Sequence, residues 1–165
     1  MNKTKLTHTF TKGLHLLVVT ALLMAALAVA PVPVAHAATI NVTTTSGGTG
    51  GPDCTLRDAI TSANTDTATG GCPAGSGADI INLAAGGTYT LTTEDNDEPL
   101  GDGPNGLPPV TSQITINGNG ATIQRDPSYA CPVDDGSSDF RIFHVDNPGD
   151  LTLNDLTVSN GCPYT

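Results

Sequence analysis

The chain has no tryptophan, three tyrosines, three phenylalanines and only six lysines and arginines in 165 residues, against sixteen acids for a formal charge of −10. That length allows at most one ordinary domain and excludes a long multidomain enzyme. The shortage of cations argues against nucleic acid or an anionic membrane surface as partner, because nothing is available to neutralise a run of phosphates. Also missing are a G-x-S-x-G elbow, a glycine-rich phosphate loop and any defensible Ser/His/Asp spacing. What the chain has in quantity is glycine (19) and proline (12), a composition that taken alone is awkward for folding.

A long apolar run occurs at residues 14–30, behind the positive residues Lys3, Lys5 and Lys12. Pro31 and Pro33 break it, and Ala35-His36-Ala37 supplies a small-x-small cleavage pattern. This reads as a secretory signal peptide over residues 1–37 rather than a retained membrane anchor. The expected mature chain starts at Ala38 and has no membrane span. It retains 128 residues with Arg57, Arg125 and Arg141 against all sixteen acids, a formal −13. Leu, Ile, Val and Phe number 23 of those 128, under the roughly 20% at which a highly charged chain is expected to be disordered. The pattern therefore has to decide whether it folds.

All four cysteines, Cys54, Cys72, Cys131 and Cys162, lie beyond the leader. An even number in an oxidising compartment implies two disulfides. Three connectivities are open; Cys54 with Cys72 and Cys131 with Cys162 are favoured as the nearer pairs, each tying down a Gly/Pro-rich excursion. Spacings of 18, 59 and 31 contain no C-x-x-C, and the single mature histidine, His144, has no companion, so zinc is a poor reading.

One helical pattern stands out. In residues 55–64 the apolar residues Leu56, Ala59, Ile60 and Ala63 fall at i, i+3, i+4 and i+7, with Arg57, Asp58, Thr61 and Ser62 expected to face away. Asp53 or Thr55 can cap its start and Asn64 can end it. The remainder reads as strands of four or five residues at 79–83, 88–92, 113–117, 121–124, 141–145, 151–154 and 156–159, with a further short strand in 39–45. Residues 114–123 (ITINGNGATI) and 151–158 (LTLNDLTV) resemble each other: apolar residues two apart, a tight Asn-rich corner, then a second strand. If Asn154-Asp155 makes the bend, Leu151, Leu153, Leu156 and Val158 all point inward. Such a rung is too small to offset the entropy of its own ordering, but stacked rungs pair their backbones and align like side chains into a core that needs few apolar residues per turn. An antiparallel sandwich is the competing arrangement, although these strands are too short for useful hairpins.

Cys54-Thr55-Leu56-Arg57-Asp58-Ala59-Ile60, then Ala63-Asn64, resembles the C-S-L-R-E-A-I…A-N signature of the CSLREA domain of exported bacterial proteins. Segments 77–83, 107–118 and 143–161 resemble stretches downstream of that signature in such chains. The resemblance implies a mainly β fold: a right-handed parallel β-helix with one short N-terminal capping α-helix. Residues 38–78 would form the cap, with the stripe of Leu56, Ala59, Ile60 and Ala63 covering the open end of the stack, and residues 79–165 the first rungs. The solenoid is expected to be incomplete at its C-terminal end, since the last rung has no polar cap after it. Residues 94–102 and the loop 131–139 look peculiar to this sequence.

The acidic segment offers hard oxygens for calcium at Asp95, Asp97 and Asp102, but it does not fit EF-hand spacing, and a solvated loop is the simpler reading. Parallel β-helices host polysaccharide lyases and hydrolases, yet the mature chain has no lysine, and Arg125, Arg141, Asp146 and Asp155 are the only conceivable pieces of a lyase site. No catalytic residue and no cofactor are expected. The expected function is a non-catalytic structural or adhesive module, secreted or displayed on the cell surface, offering a polar wall to surface glycans or proteins. The alternative is a fragment of a β-helical carbohydrate-active enzyme.

Overall fold

A computed structural model of the chain describes residues 36–98, 103–131 and 139–162. The expected leader through residue 35, the end of the acidic segment (99–102, including Asp102), the loop 132–138 and residues 163–165 lie outside these. The described elements are β1 (Thr39–Asn41), α1 (Leu56–Thr65), β2 (Asp79–Asn82), β3 (Thr88–Leu91), β4 (Asn96–Glu98), β5 (Gly103–Asn105), β6 (Gln113–Arg125) and β7 (Asp150–Ser159). The protein is mainly β, with one helix and a largely parallel sheet.

β1, β2, β6 and β7 are parallel neighbours in that order, and β3 pairs in parallel with the second half of β6. The register brings Ile40, Ile81, Ile116 and Leu153 into one column and Asn41, Asn82, Asn117 and Asn154 into the next. Alternation sends the two columns to opposite faces. Ile40, Ile81 and Ile116 are fully buried. The asparagines are tied in a one-way ladder: Asn82 Nδ2 donates to Asn41 Oδ1 at 3.0 Å, Asn117 Nδ2 to Asn82 Oδ1 at 3.1 Å and Asn154 Nδ2 to Asn117 Oδ1 at 3.2 Å. These partners stand 41, 35 and 37 residues apart along the chain. Each strand is too short to be stable alone, but every layer supplies the next with backbone partners and a matching apolar surface.

The pairs 113–117 with 121–124, and 151–154 with 156–159, expected as separate strands, are continuous bent strands. Gly118, Asn119 and Gly120 on β6 lie opposite the single residue Asp155 on β7, between the register pairs Asn117–Asn154 and Ala121–Leu156. Asn119 and Asp155 have φ of 52° and 48°, so the bend falls at the Asn-rich corner the sequence indicated. A Cβ at Gly118 would sit 2.2 Å from the Cβ of Leu156, so no larger residue fits there. Residues 141–145, expected as a strand, pair with the preceding layer only at Asn105–Arg141 and Val110–Val145. Pro104, Pro108 and Pro109 in that layer have no N–H to give, and a continuous ladder cannot form. β4 and β5 were not expected; they are an antiparallel pair inside the acidic segment read as loop, where Asn, Asp, Gly and Pro carry little strand propensity.

Helix α1 bears out its apolar stripe: Leu56, Ala59, Ile60 and Ala63 are buried in the same core as Ile40, Ile81 and Ile116. The helix reaches β1, β2 and β6. Thr55 is the N-cap, its hydroxyl oxygen accepting from the Asp58 N–H at 3.1 Å. The helix runs one residue past Asn64 to a left-handed C-cap at Asp66. Asn64 instead holds the approach to β6, donating to the Pro109 carbonyl at 2.7 Å and accepting from the N–H groups of Thr111 and Ser112.

The polar side of the helix departs from expectation: Arg57, Asp58 and Ser62 are buried. Loops wrap that side and use the side chains as anchors. Asp58 accepts from the Gly50 N–H and the Thr55 hydroxyl, and Ser62 accepts from the Thr69 N–H. Arg57 Nε donates to the Gly106 carbonyl at 3.1 Å, its Nη2 donates to the Thr93 carbonyl, and Nε lies 3.7 Å from Asp95. Burial pushes the guanidinium below its ordinary pKa while the Asp95 charge pulls it back up. Both favoured disulfides are present, Cys54–Cys72 and Cys131–Cys162. The expected boundary at residue 79 falls between β1 and β2, which share one sheet and one core.

Two stability measurements check this account. Asn117→Ala breaks two ladder bonds and Asn154→Ala one, so urea unfolding should show a cost of about 1–3 kcal/mol for the first and roughly half of that for the second; equal costs contradict the ladder. Arg57→Lys keeps the charge but loses the fork that spans two carbonyls, and should cost about 2 kcal/mol; a neutral result contradicts the anchoring role.

Candidate functional site

The outward face of the parallel sheet is the broadest regular surface among the described residues. On its first panel, Thr39, Ile80, Thr115 and Thr152 form one column and the four ladder asparagines another. Its second panel carries Thr88, Thr122 and Thr157 beside Thr90, Gln124 and Ser159. Apart from Ile80, every position in these columns is a hydroxyl or a carboxamide, and none is charged. Rows repeat at about 4.8 Å along the stack and at about 6.7 Å along a strand. Gln124 Nε2 donates to Thr90 Oγ1 at 3.2 Å, so the second panel is also cross-linked between layers. The result is a pre-ordered grid of donors and acceptors whose orientation is fixed before any partner arrives.

The charged residues are spent elsewhere. Arg125, in register with Leu91, is 2% exposed. Its guanidinium donates to the carbonyls of Asn160, Tyr129 and Ala130, with the Tyr129 ring 5.9 Å away. Arg141 Nη2 donates to the Gly103 carbonyl at 3.2 Å. Asp79 accepts from the N–H groups of Ala38 and Ser76 at 3.0 and 2.9 Å. The Ser128 hydroxyl and N–H hold the Asp126 carboxyl below its usual range.

Of the calcium candidates, Asp95 faces Arg57 and accepts from Asn96 Nδ2, Asp97 lies on β4, and Asp102 is outside the described residues. No group of three His, Cys, Asp or Glu among the described residues is arranged to hold a metal ion. Of the lyase candidates, Arg125 and Arg141 are committed to backbone carbonyls, while Asp146 and Asp155 are exposed, Asp155 at the β7 corner. His144 is half-buried, with Nδ1 enclosed and without a hydrogen-bond partner. No described helix is long and apolar enough to cross a membrane.

The ladder asparagines were not singled out from the sequence as site residues. The signal was there: four strand segments carry an apolar residue and then Asn, at Ile40-Asn41, Ile81-Asn82, Ile116-Asn117 and Leu153-Asn154. No family model, curated protein or solved structure matches the chain.

Because the wall side chains face water, Thr115→Lys and Thr122→Lys should each leave stability within about 0.5 kcal/mol of the parent in urea. A loss of several kcal/mol would place these side chains in the core and contradict the assigned face.

Proposed function

We propose that the chain is an exported, non-catalytic module folded as a right-handed parallel β-helix, whose outward wall holds uncharged glycans or proteins at a cell surface. The observation that carries this reading is the pair of in-register columns, apolar inside and hydroxyl or amide outside, at returns of 35–41 residues. A chain that returns in parallel to the same register at near-constant intervals is the arrangement of a solenoid, and parallel crossovers are right-handed almost without exception. Export is supported by the leader pattern and by two disulfides, which fit an oxidising compartment. The likeness of residues 54–64 to the CSLREA signature supports a capping role for α1, with Arg57 as the anchor that ties the helix to residues 93–106.

The chemistry of the wall narrows the ligand. It presents no cation, and the chain as a whole is strongly acidic, so polyanionic polysaccharides are repelled and neutral hydroxyl-rich chains are matched. The described arginines and several of the acids hold backbone groups in place, which leaves the wall to recognise by hydrogen bonding.

The test is to incubate the secreted, disulfide-intact protein with immobilised neutral and uronate-rich polysaccharides. Retention on neutral chains, lost in the Thr115→Lys, Thr122→Lys double variant, is expected. No retention on any surface contradicts the adhesive reading, and release of reducing ends or unsaturated sugars contradicts the non-catalytic one in favour of a carbohydrate-active enzyme.

A further inference from the structure

Val145, Leu153 and Val158 are the large apolar side chains that stand exposed among the described residues, at 45, 39 and 42%. Each is the register partner of a fully buried residue one layer earlier: Val110, Ile116 and Ile123. They therefore occupy core positions of a layer that has no described neighbour on its far side. Exposure here comes from position in the stack and not from a change of face. Beside them an open cavity of about 410 Å³ is lined by Arg141, Ile142, Phe143, Val158, Ser159 and Asn160, among others.

Apolar exposure alone does not say what covers it, but the asparagine ladder does. Each ladder amide donates to the asparagine of the layer before, and the chain of bonds ends at Asn154. The Asn154 Oδ1 accepts no hydrogen bond among the described residues, and it points the ladder at a donor that belongs to a further strand. The backbone of β7 is paired on one side only, with β6. Any strand that satisfies this edge must run parallel to β7, place an apolar residue over Leu153 and place an asparagine directly after it.

A second copy of the chain does not meet these demands. Two β7 edges related by a twofold axis run antiparallel, so the one-way ladder cannot continue. That pairing would also join the acidic edges bearing Asp150 and Asp155 in a chain of formal charge −10.

We propose that the β7 edge is a docking site for a parallel β-strand of the pattern apolar-x-apolar-Asn, free of acidic residues and supplied by another polypeptide, which adds to the sheet as a further layer. Main-chain hydrogen bonds would give the affinity, and the apolar and asparagine positions the specificity, as in other strand-addition complexes. Such docking depends on the register of β6 and β7 and not on export or on glycan binding.

The chain supplies its own probe. A synthetic peptide of residues 113–125, QITINGNGATIQR, has the required pattern, bears one arginine and no acid, and fits neighbouring layers along both edges in the native sheet. Fluorescein-labelled peptide, titrated into the full, disulfide-intact protein, is expected to bind saturably and to slow amide exchange in β7. Replacing Asn117 in the peptide by Ala should weaken binding about tenfold, the worth of one good hydrogen bond. Leu153→Asp in the protein, at an exposed position, should abolish it. Absence of binding, unchanged β7 exchange at saturation, or equal binding of the Asn117→Ala peptide overturns the proposal. Protection of β7 amides in the protein alone, rising with its concentration, overturns it in favour of self-association.

Discussion

Parallel, in-register pairing of β2, β6 and β7 is the constraint on which the remaining structure depends. A core is built from few apolar side chains because each inward residue lies over one of its own kind, Ile81 beneath Ile116 and Ile116 beneath Leu153. A slip of one residue would turn these columns to water and bring threonines inside. The asparagine ladder resists such a slip from the other face, since an amide displaced by one position meets no partner. Apolar burial and ladder hydrogen bonding thus select the same register from opposite sides of the sheet, which is how a composition near the disordered limit still specifies a structure.

The irregular connections are held by a second device, buried polar side chains turned onto backbone groups. Arg57, Arg125 and Arg141 all donate to carbonyls of segments that lack regular partners. Asp58, Asp79 and Asn64 do the converse, accepting from loop N–H groups. In a chain with so much proline and glycine, these contacts satisfy carbonyls and amides that no ladder reaches. They also bear on function: an arginine with its fork on three carbonyls is not free to hold a substrate, and a carboxylate that closes a turn is a poor general acid. The surface left for recognition is the uncharged wall and the edge of β7.

Much of this was legible in the residues. The stripe in α1, the placement of β2 and β3, the corner at Asn154-Asp155 and both disulfides derive from periodicity, turn chemistry and cysteine spacing. What was not legible has a common cause, which is that period and polarity describe one element at a time. Arg57, Asp58 and Ser62 read as a solvated face because nothing local indicates that loops from 40 residues away will fold over them. β4 and β5 lie in a segment whose propensities argue against strand, and tertiary contact overrides them. Residues 141–145 look like a strand, yet pairing depends on N–H groups that Pro104, Pro108 and Pro109 cannot provide. The wall was visible only in outline, because its asparagines acquire meaning once four distant strands are placed side by side.

The register itself is the most direct point at which to test the account. In a nuclear Overhauser experiment on isotope-labelled protein, the side-chain amides of Asn82, Asn117 and Asn154 should each show cross-peaks to the preceding ladder asparagine, and the backbone protons of Ile40, Ile81, Ile116 and Leu153 should connect in that order with the pattern of parallel strands. Cross-peaks of antiparallel pairing between these segments, or asparagine amides without contacts to one another, would contradict it.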